Sequence, residues 1–230
     1  MFSSTFLVTY AQGLTDDAKK SLSEELDAAG AAIGDCYVIG EVLTPATMNP
    51  GDVLFEIGFI DQDSYEAAKR TDEWAHLQDI LDDESRVALY DWAAYGKGAE
   101  NFTDTMEARC HRVLFMHVRD GADPEMVDKA YTATSHMREY VPGFLNSKVS
   151  ATIESGGHST WDYVFECDYA DPSVYPGAYI MHPIHIAYVD RFFEPACAQW
   201  VFEPDLCTSV IATDTPLRTT GELSGHRDFI

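Results

Sequence analysis

An α+β fold made of two ferredoxin-like β-α-β-β-α-β repeats is predicted by three features of this 230-residue sequence. Segments rich in β-branched and aromatic residues alternate with helix-like segments in that order over residues 1–97. The same order returns over residues 110–204. Landmarks also recur at matching places, since Asp-Val-Leu-Phe-Glu at 52–56 is answered by Asp-Tyr-Val-Phe-Glu at 162–166. A repeat of this length points to a duplicated domain rather than to a solenoid unit.

Residues 4–10 form the first expected strand. Gly13 turns the chain, and Thr15 offers an N-cap to a helix, with Asp16 and Asp17 at its positive end. Strands follow at 36–43 and 52–60, separated by a turn containing Pro45, Asn49, Pro50 and Gly51. Helical periodicity covers 62–82, and 86–95 is the fourth strand. The small and polar residues that follow read as a linker over 98–109. The second unit places a strand at 111–118, a helix capped by Asp123 with Pro124 in its first turn, and strands at 144–153 and 161–169. A second helix opens at Pro172 and restarts at Pro183, and 199–203 is expected to close the sheet. Residues 205–230 read as an irregular tail.

A four-stranded sheet of this kind, covered by helices on one face, leaves its other face and both edges open. Two such sheets in one chain can satisfy each other, which predicts an α/β-barrel closed within the chain. The protein is then expected as a monomer with internal pseudo-dimer symmetry, or as a homodimer of such units.

The formal charge is −24, from 6 basic and 20 acidic residues over 1–100 and 9 and 19 over 101–230. No basic patch is available to meet phosphates, so nucleic acid is not expected as a partner. No stretch is long and apolar enough to span a bilayer, and such acidity repels anionic membranes. Five cysteines without paired spacings imply free thiols in a reducing compartment, and the N-terminus lacks a secretory pattern. A cytoplasmic location is expected.

The densest chemistry lies in Tyr-Ile-Met-His-Pro-Ile-His at 179–185. Pro183 disfavours helix at His182 and suits the first turn of a new one. On an unbroken helix Tyr179 and His185 face different ways; a break at Pro183 lets them share one space. A histidine of ordinary pKa could exchange protons there near neutral pH, and a phenol could stabilise a forming oxyanion. Such a pair suits enolisation, aldol closure or lactone rearrangement, with no metal or redox cofactor. His158, His182, His185, Asp162, Glu166 and Asp190 could supply metal ligands, but their spacing matches no metal signature, and no metal is expected.

The second half resembles the Dabb family of stress-responsive dimeric α/β-barrels. The features that carry the resemblance are the apolar strand ending Val-Leu-Phe-Met at 113–116, Asp123-Pro124-Glu125, Val141-Pro142-Gly143 and His182-Pro183-Ile184-His185. A plant polyketide cyclase of that family has a Tyr-Ile-Ile-His-Pro-Ala-His run matching 179–185. The resemblance implies that Tyr179 and His185 are catalytic. It implies a cofactor-independent cyclase or isomerase acting on a small polyketide-like or lactone-like carbonyl substrate. The alternative it carries is a non-catalytic stress-responsive or ligand-binding barrel. Candidate substrate-binding residues are His111, Arg112, Tyr163, Glu166 and His182. Where the family often begins its first strand with histidine this sequence has Arg112, with His111 one place off, and Tyr163 stands where the cyclase has a further histidine. In the first half Ala68 and Trp74 occupy the places of Tyr179 and His185, so a single active pocket is expected in the second half.

Overall fold

The computed structural model describes residues 1–43, 51–102 and 108–213. Pro45, Asn49 and Pro50 of the expected turn, and residues 214–230 of the expected tail, lie outside the described residues.

The first half contains β1 (Phe2–Tyr10), α1 (Asp16–Ile33), β2 (Cys36–Glu41), β3 (Val53–Phe59), α2 (Gln62–Ala68), α3 (Asp72–Leu81) and β4 (Val87–Tyr95). Thr15 caps α1 by accepting the Ala18 N–H. The helical stretch expected over 62–82 is two helices, because the Thr71 hydroxyl accepts the Trp74 N–H and starts a new one. After β5 (Ala99–Asn101), the second half runs through β6 (Cys110–Met116), α4 (Pro124–Ser135), β7 (Phe144–Gly156), β8 (Tyr163–Tyr169), an irregular helical segment over 172–192, and β9 (Cys207–Ala212).

Two expectations are corrected. The residues read as a linker include β5, which pairs with β7. The closing strand is β9, not 199–203. The 199–203 stretch makes only an isolated antiparallel bridge, Phe202 opposite Val118, with Val201 and Phe202 buried against the second core, while the alternating residues 207–212, within the stretch read as tail, pair with β6.

The strands run in the order β2-β3-β1-β4-β7-β8-β6-β9, so each half has the ferredoxin-like arrangement. β7 extends past its hairpin partner to pair with β4, Trp92 opposite Gly156, and this joins the two half-sheets. At the far ends the row curls back on itself. Val42 bridges Ile211, and the Leu43 N–H donates to the Val210 carbonyl at 2.8 Å. Gly40 permits this approach, since a Cβ there would lie 3.0 Å from Ile211.

Strand alternation divides the side chains between two faces. Helix-side residues build one core beneath α1, α2 and α3 and another beneath α4 and 172–192. Inward-facing residues fill the barrel. Leu7, Leu54, Val113, Phe115, Trp161 and Val164 pack one end. The register places Glu56, His111, Lys148, Glu166 and Asp168 toward the other end, all buried.

This polar end is internally paired. His111 Nδ1 lies 3.0 Å from Asp168 Oδ1, and its Nε2 lies 3.6 Å from Glu56 Oε2 on the opposite half. Lys148 Nζ lies 3.1 Å from Glu166 Oε2, Ser3 donates to Glu56 at 3.0 Å, and Asn146 donates to Asp168 at 2.8 Å. Burial pushes the Glu166 carboxyl upward. Burial opposes a charge on His111, but the hydrogen bonds and negative charges of Asp168 and Glu56 outweigh it and push this histidine up to about 9.

A histidine raised in this way adds stability that is complete below its unfolded pKa of about 6.5 and is lost as pH rises through about 9. Urea unfolding at stepped pH is expected to show stability falling across that window, and His111→Gln is expected to flatten the fall. An equally steep fall in the variant would assign it to other groups.

Candidate functional site

The site lies outside the barrel, between the helix-side face of the second half-sheet and the segment 172–192. Asp171 caps the start of this segment by accepting the Ser173 N–H. The chain then makes a wide π-helical turn over Tyr175–Tyr179, breaks around Pro183, and makes a second over His185–Val189. His182 Nδ1 accepts the Ile184 N–H at 3.3 Å, so this imidazole caps the restart. In the second wide turn the Asp190 N–H bonds to the His185 carbonyl, which stacks these two residues. Their side chains meet as a result, with His185 Nδ1 3.0 Å from Asp190 Oδ1. The contact is not aligned as a hydrogen bond.

The break brings Tyr179 and His185 together, ring centroids 4.5 Å apart and nearly edge-to-face. Both line an apolar-walled cavity of about 230 Å³ with Arg112, Thr134, Tyr175 and Asp190. Tyr179 is 2% exposed, Arg112 3% and His185 7%, so the cavity chemistry is largely shielded from water. The Arg112 guanidinium carbon sits 4.6 Å from the Tyr175 ring centre and 5.6 Å from that of Tyr179. Its Nε donates to the Thr208 hydroxyl at 3.0 Å.

The expectation of an ordinary pKa for His185 is corrected. Burial, then the positive charge of Arg112 and the neighbouring His182, push it down to about 4. His185 is therefore a neutral imidazole at pH 7, able to accept a proton but not to act as a resting acid. Burial likewise raises the Tyr179 phenol, which stays protonated and available as a donor. Burial raises the Asp190 carboxyl.

The other candidates fall elsewhere. Adjacent residues on β6 face opposite sides, so Arg112 enters the cavity while His111 points into the barrel. Glu166 also faces the barrel interior, beside Lys148, and so meets neither Tyr179 nor His185. Tyr163 is on the helix side but packs against Tyr131 and Phe202, away from the cavity lining. Thr134, Tyr175 and Asp190 were not identified as pocket residues from sequence. The i,i+5 relation of Asp190 to His185 carries a signal only once the wide turn is known. In the first half, Trp74 packs edge-on to Tyr65 at 5.6 Å beside the buried Ala68, so packed aromatic rings stand where the second half holds its pair.

The six proposed metal ligands do not converge. His158 meets Asp91 and Asp205, Asp162 meets His117, and His185 meets Asp190. Two other groups among the described residues offer ligand atoms within 4.8 Å of one another, Glu56, His111 and Glu166, and Asp91, His158 and Cys207. In the first, Lys148 already supplies a cation beside Glu166. In the second, Asp91 accepts from His158, Trp161 and Cys207 and so ties three segments together. A larger groove of about 640 Å³ in the first half, between Tyr10, Lys19, Ser23, Glu41 and Asp52, is a polar surface feature. No helix among the described residues is long and apolar enough to cross a membrane.

No curated protein matches this chain in sequence. Among solved structures, an anthrone oxidase-like protein superposes with a TM-score of 0.63 at 14% identity, covering 97% of this chain and 94% of its own. A monooxygenase-like protein from Lactobacillus acidophilus NCFM gives 0.52 at 12% identity, covering 96% of each chain. Another from Fusobacterium nucleatum subsp. nucleatum ATCC 25586 gives 0.55 at 7% identity, covering 92% and 90%. At such identities the likeness is one of fold. Residues 110–203 match the family model described as Stress responsive A/B Barrel Domain. Arg112, Tyr179 and His185 all lie within the stretch that matches this stress-responsive A/B barrel (Dabb) model.

Proposed function

We propose that this protein is a cofactor-independent enzyme that moves a proton on a small carbonyl compound, in a cyclisation or isomerisation of a polyketide-like or lactone-like substrate. The observation that carries the reading is the shared cavity, in which a neutral imidazole and a protonated phenol stand edge-to-face beside a guanidinium. His185 removes a proton next to the carbonyl. Tyr179 donates to the carbonyl oxygen, and the charge that develops there is stabilised by Arg112. The pKa of about 4 makes free His185 a weak base. Negative charge forming on the substrate offsets Arg112 and strengthens that base as the proton moves, with Asp190 placed to receive the resulting imidazolium. The likeness of 179–185 to the corresponding run of olivetolic acid cyclase supports the same pair. His182 serves as the helix cap, and the first half serves as the structural partner of the barrel.

A second reading draws on the anthrone oxidase-like and monooxygenase-like neighbours. Oxygenation of an acidic C–H compound also begins with proton removal, so the same pair would serve, and oxygen consumption separates the two. The non-catalytic binding reading is less well supported, because the cavity reaches both titratable side chains although the barrel itself is filled.

Proton exchange at the methyl group of acetophenone in D2O, followed by NMR, tests the reading. The protein is expected to accelerate exchange, and His185→Ala to reduce the acceleration by about 10²- to 10⁴-fold, with a smaller loss for Tyr179→Phe. No acceleration, or acceleration indifferent to His185, counts against it. The His185 ring resonances are expected to titrate near pH 4 in the unliganded protein. A midpoint near the ordinary value of about 6.5 would show that the ring is solvated and the cavity open.

A further inference from the structure

Burying a guanidinium is costly unless a counter-charge or a full set of acceptors meets it. Arg112 is 3% exposed and, among the described residues, has no carboxylate within ion-pairing distance. Its surroundings are the aromatic faces of Tyr175, Tyr179 and Phe165, and its neutral hydrogen-bonding neighbours are the Thr208 and Tyr179 hydroxyls and the Cys167 thiol. Its Nη1 is buried and makes no hydrogen bond. Elsewhere the fold does supply partners to buried cations: Lys148 has Glu166 beside it at 3.1 Å, and His111 has Asp168 at 3.0 Å.

The unmatched polar atoms collect at this cavity. Thr134 Oγ1 and His185 Nδ1 are also buried without a hydrogen-bond partner, and both residues line the space that Arg112 lines. Arginine can only donate, and a threonine hydroxyl can donate, so two of the three atoms call for an acceptor. Apart from Asp190, whose carboxyl is raised by burial and stands beside His185, the rest of the wall is apolar or aromatic, including Leu114, Val189, Phe193 and Leu206. A group of opposite charge held flat against aromatic rings fits such a wall.

We propose that the cavity binds its ligand as a planar organic anion of one or two fused rings, a carboxylate or an enolate, whose negative oxygen lies on Arg112 and is assisted by Thr134. This rests on the preceding assignment of the cavity as the site and deepens it by naming the charge of the ligand. Arg112 then acts as the specificity determinant: it favours acids over neutral compounds of the same shape. The ligand supplies the counter-charge that the chain itself omits.

The test is equilibrium binding, which needs no turnover. 2-Naphthoate and 2-naphthamide share size and shape and differ in charge, and both can be titrated calorimetrically into the full chain in low-salt buffer. The naphthoate is expected to bind at least tenfold more tightly than the amide. Arg112→Met is expected to abolish that preference while keeping the amide affinity within about threefold, and Arg112→Lys to retain part of it. The unliganded Arg112→Met protein is expected to melt no lower than the wild type, since its substitution removes a buried charge without stranding a partner. Equal affinity of the wild type for the two probes, binding of neither, or a preference that survives in Arg112→Met overturns the proposal. If the anion preference fails while His185-dependent proton exchange persists, this inference falls and the catalytic reading stands. If the preference holds without exchange, the reverse is true.

Discussion

The structure depends on a buried ion pair between its halves. Glu56 from the first half-sheet and His111 from the second meet inside the barrel at 3.6 Å, both buried. Removing one side of such a pair leaves an uncompensated charge, so the geometry tolerates little sliding of one half against the other. This fixes more than the barrel. Adjacent residues on a strand point to opposite faces, and a slip of one place would reverse them all. Holding His111 inward commits Arg112 to the outer face of β6, where it becomes the cation of the cavity.

The two histidines show how far the environment outweighs residue type. His111 is the more deeply buried, yet it is held charged by two carboxylates. His185 has a carboxylate nearby as well, but Asp190 is misaligned and partly exposed, and burial together with Arg112 keeps the ring neutral. Burial opposes a charge on both rings, and only at His111 do well-placed carboxylates outweigh it. The barrel thus stores its titratable charge in a sealed and mutually paired cluster. The cavity keeps a neutral imidazole beside a cation that no carboxylate of the described residues pairs.

The halves share a strand order but differ in how their second helical segments pack. In the first, two regular capped helices press Tyr65 and Trp74 together and leave the place packed. In the second, Pro183 and two wide turns hold the chain away from the sheet far enough to leave a hollow. Wide turns inside helical segments often accompany functional sites because they reposition side chains that a regular helix would send apart. Here they bring Tyr179 to His185 and stack Asp190 on His185.

Local rules carried the strand order, the helix caps at Thr15 and Asp123, the break at Pro183 and the helix-capping role of His182, because periodicity, capping oxygens and proline act over a few residues. They also singled out Tyr179 and His185 as a pair. They failed where the answer lay in distant contacts. The closing strand proved to be β9, since Val201 and Phe202 satisfy the β pattern but are needed in the core. Whether His111 or Arg112 faced the cavity, and that Glu166 did not, depended on register between strands far apart in the chain. The pKa of His185 depended on a charge brought to it by folding. The amino-acid sequence by itself determined most of the elements and the chemistry available to them; tertiary structure alone decided the closing strand, which face each side chain occupied and what surrounded it, because strand pairing, orientation and desolvation arise from long-range packing.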